Sequence, residues 1–366
     1  MKQGWEIKKL GELVTIKTGK LDSNAMVDGG KYPFFTCSRE IFAINDYAFD
    51  CEAILLAGNN ASGDFNVKHY KGKFNAYQRT YVITVNESNR ILYSYLYQQL
   101  TNHLKKFKEQ SLGANTKFLK IGMIQGMEIH LPPLPEQLRI VSILDKAFAA
   151  IATAKANAEQ NLKNAKELFN SYLQGVFEKK GDGWEEHNIE DCFKLKSGDG
   201  LTSKNMIEDG RYSVFGGNGI AGLHNRFNLS GSNVIIGRVG ALCGNVRHIT
   251  ENIWLTDNAF NVTGFKFEFD HSFLTYLLNL KNLRSFARQA AQPVISNSSL
   301  KDVVLEFPNS VKAQQIIVAK LDALSTETKK LEAIYRQKIV DLEELKKSML
   351  QKAFNGELKT TNDISI

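Results

Sequence analysis

Residues 135–180 read PEQLRIVSILDKAFAAIATAKANAEQNLKNAKELFNSYLQGVFEKK, and residues 311–355 read VKAQQIIVAKLDALSTETKKLEAIYRQKIVDLEELKKSMLQKAFN. Beyond Pro135 neither stretch contains proline, and the only glycine is Gly175, near the end of the first. Proline breaks helices but is tolerated at their start. Leu131-Pro132-Pro133-Leu134-Pro135 and Pro308 therefore mark the beginnings of two long helices. At 1.5 Å per residue, about 43 residues span roughly 65 Å.

Apolar residues in the second stretch fall at Ile317, Leu321, Leu324, Leu331, Tyr335, Leu342, Leu345 and Met349, and Thr328 and Lys338 complete an unbroken 4,3 spacing. Ile140, Leu144, Ala147, Ile151, Ala154, Ala158, Asn161, Ala165, Leu168 and Tyr172 repeat that series 177 positions earlier. The spacing is that of a coiled-coil seam. Alanine dominates one seam and leucine the other, which suits interdigitation. Asn161 and Lys338 occupy equivalent places, and polar seam residues fix register at some cost in stability. The alternative is that each helix packs only on its own domain. A stripe this long overruns a domain of about 130 residues, so antiparallel pairing within one chain is the expectation, with a globular domain at either end of a paired spacer.

The repeat extends outward from the helices. Gly4-Trp5-Glu6, Leu10, Lys17 and Gly19 return as Gly183-Trp184-Glu185, Ile189, Lys196 and Gly198. Ala53-Ile54-Leu55-Leu56 returns as Asn233-Val234-Ile235-Ile236, and Asn75-Ala76-Tyr77 as Asn258-Ala259-Phe260. Each half begins with short apolar runs (AILLA, TYVITV, NVIIGRVG) between Gly, Asn and Ser turns, which reads as strands. Helical stretches at Ile91 to Lys108 and Phe273 to Ala291 interrupt them. The expected fold class is α+β, with two globular domains (1–134 and 182–310) related by pseudo-twofold symmetry. Two long antiparallel coiled-coil helices (135–181 and 311–358) join them, and 359–366 forms a tail.

At 366 residues, 43% hydrophobic and 23% charged, the chain has the composition of a globular protein of two or three domains, not of a disordered or collagen-like one. The start, MKQGWEIKKL, offers no signal-peptide core, and no apolar run approaches the roughly 20 residues of a membrane span. A cytoplasmic protein is expected. Cys37, Cys51, Cys192 and Cys243 lie far apart without CxxC, so they are expected to be buried small hydrophobes, not a disulfide frame or zinc site.

The net charge of +7 hints at a polyanion, unevenly: residues 1–134 carry +5 and residues 182–310 carry −2. Within the latter, residues 192–250 hold 7 basic against 3 acidic groups, which leaves a local basic face. Base edges and phosphates are read by long planar donors, amides and hydroxyls. The candidates in the first domain are Lys17, Lys20, Lys31, Arg39, Asn59, Asn60, Lys68, Lys71, Lys73, Gln78 and Arg79. In the second they are Lys196, Lys204, Arg211, Asn218, His224, Asn225, Arg226, Arg238, Arg247, Arg288 and Gln292. For each, a solvated side chain or a turn residue is the competing reading; Asn59 and Asn60 follow Gly58 as turn residues do.

The Trp-Glu start with Leu10-Gly11-Glu12-Leu13, residues 212–222 (YSVFGGNGIAG), Ile235-Ile236-Gly237-Arg238-Val239-Gly240, Thr256-Asp257-Asn258-Ala259-Phe260 and Leu131-Pro132-Pro133-Leu134-Pro135-Glu136-Gln137 together resemble the specificity subunit of bacterial type I restriction–modification enzymes. The resemblance implies two target-recognition domains, each reading half of an asymmetric bipartite site on double-stranded DNA. It also implies helices that dock two methyltransferase subunits, with restriction subunits outside, and S-adenosylmethionine, ATP and Mg held by those partners instead of by this chain. Lys312-Ala313 departs from the Pro135-Glu136 of the first half, which bears on where the second helix starts.

The sequence points away from catalysis. Pro132-Pro133 is flanked by leucines, unlike the Asn/Asp-Pro-Pro-aromatic loop of an amino-methylating enzyme, and GxxxxGK[ST] is absent. Glu-x-Lys triplets at Glu6, Glu178, Glu327, Glu344 and Glu357 are near chance in a lysine-rich chain. The seven His lack metal-ligand spacing, and His69 and His248, which align between halves, are expected to hydrogen-bond within the repeated fold. The competing function is an interaction scaffold with two protein- or glycan-binding heads.

Overall fold

A computed structural model describes residues 4–87, 90–181, 183–288 and 292–358; the tail expected at 359–366 lies outside them. The chain divides into two compact units, Met1–Glu159 with the chain from Arg336, and Gln160–Tyr335. Each unit thus takes its own globular part and a portion of both long helices.

The first globular part opens with β1 (Glu6–Lys9), α1 (Leu10–Leu13), β2 (Val14–Thr18), β3 (Tyr32–Phe35) and β4 (Phe42–Ile44). Then come β5 (Phe49–Ala57), β6 (Asn59–Asn60), β7 (Val67–Ala76), β8 (Thr80–Val85) and α2 (Tyr93–Gln110). It closes with β9 (Lys117–Phe118), α3 (Ile121–Gln125) and β10 (Glu128–Leu131), ahead of α4 (Leu134–Glu178). Six strands form one sheet in the order β2-β8-β5-β7-β3-β4. Ala53 to Ala57 are all buried because β5 is central, covered on both faces, which is why AILLA shows no alternation.

The second part repeats the plan with β11 (Trp184–Asn188), α5 (Ile189–Cys192), β12 (Lys194–Ser197), β13 (Tyr212–Gly216) and β14 (Gly219–His224). It continues through β15 (Asn233–Gly237), β16 (Val246–Ile249), β17 (Ile253–Leu255), β18 (Ala259–Thr263), α6 (His271–Leu280), α7 (Asn297–Leu300) and β19 (Val304–Pro308) to α8 (Val311–Phe354). Here the strands separate into β12-β18-β15-β16 and β14-β13-β17. The first and last strands of each part pair alike, Glu6 with Leu131 and Trp184 with Pro308.

Backbone pairing corrects one detail of the repeat. Lys17 lies opposite Val82 and Lys196 opposite Asn261; Phe35 O accepts from Tyr77 N, and Phe215 O from Thr256 N. Asn75-Ala76-Tyr77 is therefore equivalent to Trp254-Leu255-Thr256, not to Asn258-Ala259-Phe260. Three similar letters misled because Asn75-Ala76-Tyr77 leaves a strand that ends at Ala76, whereas Asn258-Ala259-Phe260 enters one that begins at Ala259. The helix expected through Ala291 is also shorter: α6 stops at Leu280, Asn282 is left-handed (φ 46°), and a 3₁₀ turn spans Leu283–Phe286. Ala291 itself lies outside the described residues.

The second long helix starts at Val311 despite Lys312-Ala313, since Ser310 Oγ accepts from Ala313 N (3.4 Å) and supplies the cap. Inside the first unit the helices run antiparallel: Ile140 and Leu144 share a core with Leu350, Ala353 and Phe354, while Lys155 Nζ reaches Glu343 at 2.6 Å. In the second, Leu173, Val176 and Phe177 share a core with Ile317, Val318 and Leu321.

The seam is half as expected. Leu144, Ile151 and Leu321 are buried, and Leu324 and Leu342 are partly so. Asn161, Leu168, Leu331, Lys338 and Leu345 are exposed, whereas their next neighbours Leu162, Phe169, Glu332 and Ile339 are partly covered. Up to Ala158 the covered positions include every expected seam residue, Ala147 and Ala154 among them, together with Phe148 and Lys155; beyond it Leu162 and Phe169 are covered in place of Asn161 and Leu168. One residue turns a helix by about 100°, enough to move a side chain from seam to flank. An unbroken 4,3 spacing drew the reading to Asn161 and Lys338 even where the apolar Leu162 and Ile339 stand next to them. Asn161 and Lys338 are exposed and so lie off the covered stripe, whereas Thr328 is buried on it and bonded to Leu324 O (2.9 Å).

Candidate nucleic-acid interface

In each unit, separate chain segments meet at one end of the sheet and are bonded through backbone atoms. In the first, Gly58 N donates to Arg79 O (2.8 Å), Leu119 N to Gly58 O (2.9 Å) and Gln78 N to Leu21 O (2.9 Å). In the second, Arg238 N donates to Asn258 O (2.9 Å), Ile295 N to Arg238 O (2.8 Å) and Asp199 N to Leu255 O (3.0 Å). Gly19 and Gly198 serve this frame directly, because a Cβ there would strike the carbonyls of Ala76 and Leu255. The frame is common to both units, while the side chains it presents differ: Gly58 is the counterpart of Arg238, and Arg79 that of Asn258.

Lys17, Lys20, Arg39, Asn59, Asn60, Lys68, Gln78 and Arg79 come from segments at or next to this end of the first unit. Several are tied into the scaffold. Asn60 Oδ1 accepts from Ser62 N (2.9 Å) and Asp64 N (3.0 Å), a turn-making role. Gln78 Nε2 donates to Asp22 Oδ1 (2.6 Å), and Lys68 Nζ donates to Asn66 Oδ1 (2.6 Å). Burial lowers the Lys68 pKa, since a desolvated ammonium loses hydration. Lys17, Lys20, Arg39 and Arg79 are exposed and have no hydrogen bond from their side chains to another described residue.

Three candidates stand apart. Lys31 and Lys73 lie over the rings of Tyr32 (5.3 Å) and Tyr47 (4.6 Å), and Lys71 pairs with Glu52 at 3.1 Å. Burial opposes ionisation of Glu52, but hydrogen bonds from Lys71 and His69 outweigh it and lower its pKa.

In the second unit Lys196, Asn218, Arg238, Arg247, Arg288 and Gln292 belong to the framed end. Arg238 is held by Ile295 O (3.3 Å), Ser197 Oγ (3.4 Å) and Asp257 O (3.4 Å), and lies 5.2 Å from the Phe260 ring. Asn218 Oδ1 accepts from Leu242 N (2.8 Å), and the Arg247 guanidinium rests on Gly219, where a Cβ would stand 3.1 Å from it. Lys196, Arg288 and Gln292 are exposed. Lys204, Arg211, His224, Asn225 and Arg226 gather instead around the β13–β14 hairpin: Arg211 N donates to Asn225 Oδ1 (3.3 Å), and His224 packs edge-on to Trp254 at 5.1 Å.

Two basic residues escaped the sequence reading. Lys117 lies opposite Asn60 on β9, and Arg284 donates to Ala241 O. Lys117 sits on a segment whose counterpart in the other half is visible only in the matching bridges Leu112–Phe118 and Arg288–Val294. The histidines behave as expected: His69 bonds Glu52 (3.0 Å) and His248 bonds Ser232 (2.8 Å) and Ser272 (3.0 Å). Cys192 and Cys243 are buried, and burial pushes the Cys192 thiol up to about 12. Cys37 and Cys51 are only half-buried, contrary to expectation; Cys37 Sγ instead donates to Arg79 O (3.3 Å). Among the described residues no cluster of His, Cys, Asp or Glu could hold a metal ion, and no helix is long and apolar enough to cross a membrane.

The family described as type I restriction modification DNA specificity domain matches residues 2–164 and again 181–340. The type I restriction enzyme EcoDI specificity subunit of Escherichia coli is 44% identical over 156 residues, 43% of this chain and 34% of that protein. The EcoprrI specificity subunit of Escherichia coli is 32% identical over 209 residues, 55% of this chain and 51% of that protein. The chain thus spans from a third to a half of these curated relatives. Among solved structures, a chain from work on complex assembly and conformational transition of the type I R-M system superposes with a TM-score of 0.79 at 17% identity, covering 97% of this chain and 99% of that one. The HsdS subunit from Thermoanaerobacter tengcongensis gives 0.59 at 17% identity, covering 98% of both chains. At such identities the likeness is one of fold.

Proposed function

The chain belongs to the type I restriction modification DNA specificity family, and on that premise we propose that it addresses a modification complex to DNA. Residues 1–134 and 182–310 act as target-recognition domains, each reading one half of a bipartite asymmetric duplex site. The observation that carries this reading is the repeated backbone frame with unlike side chains, Gly58 and Arg79 in one unit against Arg238 and Asn258 in the other. One scaffold with two different sets of donors suits two different half-sites.

The helices set the spacing of the half-sites and dock methyltransferase subunits, with restriction subunits added to them. Exposed apolar side chains on both helices, Leu138 (58%), Leu168 (52%), Ile334 (59%) and Leu345 (48%), are ones that such docking would cover. The chain itself performs no catalysis; S-adenosylmethionine, ATP and Mg belong to its partners, and the complex works in the cytoplasm.

Mapping adenine methylation genome-wide, with the methyltransferase present and this gene present or deleted, tests the proposal. Loss of one bipartite motif on deletion supports it, and an unchanged methylation pattern overturns it. A salt-insensitive complex without preference for duplex DNA favours an interaction scaffold instead.

A further inference from the structure

In the first unit the Gly63-Asp64-Phe65 loop, α2 and the last turns of α8 enclose a cavity of about 440 Å³. Its rim is cationic: Arg39, Lys105, Lys108 and Lys347 surround a single carboxylate, Asp64. That carboxylate is already taken, because Lys108 Nζ lies 2.7 Å from it and, through hydrogen bonding and charge, holds its pKa below the usual value. Lys105 touches only Glu109, at 4.0 Å, and Arg39 and Lys347 have no ion pair with a described residue. Gly63 brings the loop against the stems of Lys108 and Lys117. At φ +75° it turns the loop so closely that a Cβ would lie 3.2 Å from Lys108 Cγ and 3.4 Å from Lys117 Cγ.

The charge is particular to this unit. The bonds made by Gln137 and Gln314 fix the equivalence of α2 with α6, and α6 ends at Leu280, short of the turn on which α2 carries Lys105 and Lys108. Asn170 stands in place of Lys347. The repeated frame therefore does not require these cations. Crowding them around one neutralised acid is unfavourable until an anion arrives. Arg39 belongs both to this rim and to the segment after Cys37 whose carbonyl receives Asn66 (2.8 Å), so the cavity adjoins the framed end.

We propose that the cavity between the Gly63 loop, α2 and α8 binds a backbone phosphate of DNA flanking the half-site read by the first unit. The inference rests on the DNA-reading proposal and adds an anchor that carries no sequence information. It makes the first unit's grip more salt-dependent than the second's.

The test is fluorescence anisotropy of the full chain assembled with its methyltransferase subunits on a duplex of arbitrary sequence across a range of salt. The comparison is with Lys105→Gln combined with Lys347→Gln, both exposed positions whose replacement should leave thermal unfolding unchanged. One lost phosphate contact lowers the slope of log affinity against log salt by about 0.9 and weakens binding roughly five- to tenfold at ~0.1 M salt. Wild-type binding with an unaltered slope in the variant overturns the anchor and leaves the reading function standing. Absence of duplex binding by the wild type overturns both. A parallel titration with inorganic pyrophosphate separates a free-anion site: saturable pyrophosphate binding lost in the variant, with the duplex slope unchanged, also overturns the DNA anchor.

Discussion

Gln137 and Gln314, 177 positions apart, make the same set of bonds. Gln137 Nε2 donates to Pro132 O (2.8 Å) and Arg90 O (2.9 Å), while its Oε1 accepts from Leu92 N (2.9 Å). Gln314 Nε2 donates to Pro308 O (2.9 Å) and Glu268 O (3.3 Å), and Oε1 accepts from Asp270 N (2.8 Å). Both side chains are wholly buried and tie the first turn of a long helix to the chain entering α2 or α6. Gln137→Leu keeps the volume but strands the buried Pro132 carbonyl at about 1–3 kcal/mol and removes two part-buried bonds, to Arg90 O and from Leu92 N. The urea midpoint of the first unit should fall by the equivalent of about 2 kcal/mol with m unchanged; a loss below about 0.5 kcal/mol would remove this tether from the fold's supports.

The end of α8 is anchored in the same unit. Phe354 is 4% exposed, meets Tyr95 edge-on at 5.6 Å, and its carbonyl accepts from His130 Nδ1 (2.6 Å). Phe354→Ala should cost about 3–5 kcal/mol, the range for emptying a buried aromatic site. Calorimetry should show the loss in the first unit's transition and not the second's; equal shifts in both would contradict the separate cores.

His103 on α2 is partly buried against Phe107 (4.9 Å), and burial, then the nearby Lys106, lowers its pKa from 6.5 to about 4. The folded state therefore resists protonation that the unfolded chain accepts. As pH falls below 6.5 the unfolded state binds more protons and stability declines until pH reaches about 4, below which this contribution is constant. Burial and the neighbouring His248 likewise depress His271, which adds to the slope. His103→Leu should flatten the unfolding midpoint against pH over the upper part of that window, where carboxylates remain ionised. An unchanged slope there would show that His103 titrates normally in the fold.

Arg79 and Arg238 looked interchangeable as readers in the sequence, yet they differ in how they are held. The Arg79 side chain is exposed, whereas Arg238 is bonded to three residues and packed near Phe260. Arg79→Glu should weaken duplex binding by more than the ~0.5 kcal/mol of a neutral surface change while leaving the unfolding midpoint in place. Arg238→Glu should lower both affinity and stability. Wild-type affinity in the Arg79 variant would take that residue off the interface.

The large plan was legible because it rests on features that survive divergence: proline at Pro135 and Pro308, long glycine-poor stretches, and residues such as Gln137 and Gln314 whose bonds both halves need. Fine placement was not. Whether Leu168 or Phe169 faces the seam depends on 100° of helix rotation and on what packs opposite, which a local pattern does not encode. The reader residues were the least legible, because a lysine over a tyrosine (Lys73, Tyr47) and one whose side chain bonds no other described residue (Lys20) look alike as letters. Long-range bonds such as Gly58 N to Arg79 O decide which candidates share an end.

Helices α4 and α8 are each unbroken, over 45 and 44 residues, and both pass from one unit into the other. If they set the spacing between half-sites, lengthening them must lengthen the unread gap. One heptad inserted into both helices adds about 10 Å and returns the chain to nearly the same helical face. At roughly 3.4 Å per base pair the gap should grow by up to about three pairs, with the two half-site sequences unchanged. Methylation mapping of the lengthened variant reads the gap directly. The same half-sites at the original separation would mean that the reading parts reach their targets independently of helix length, and the spacer role would have to be abandoned.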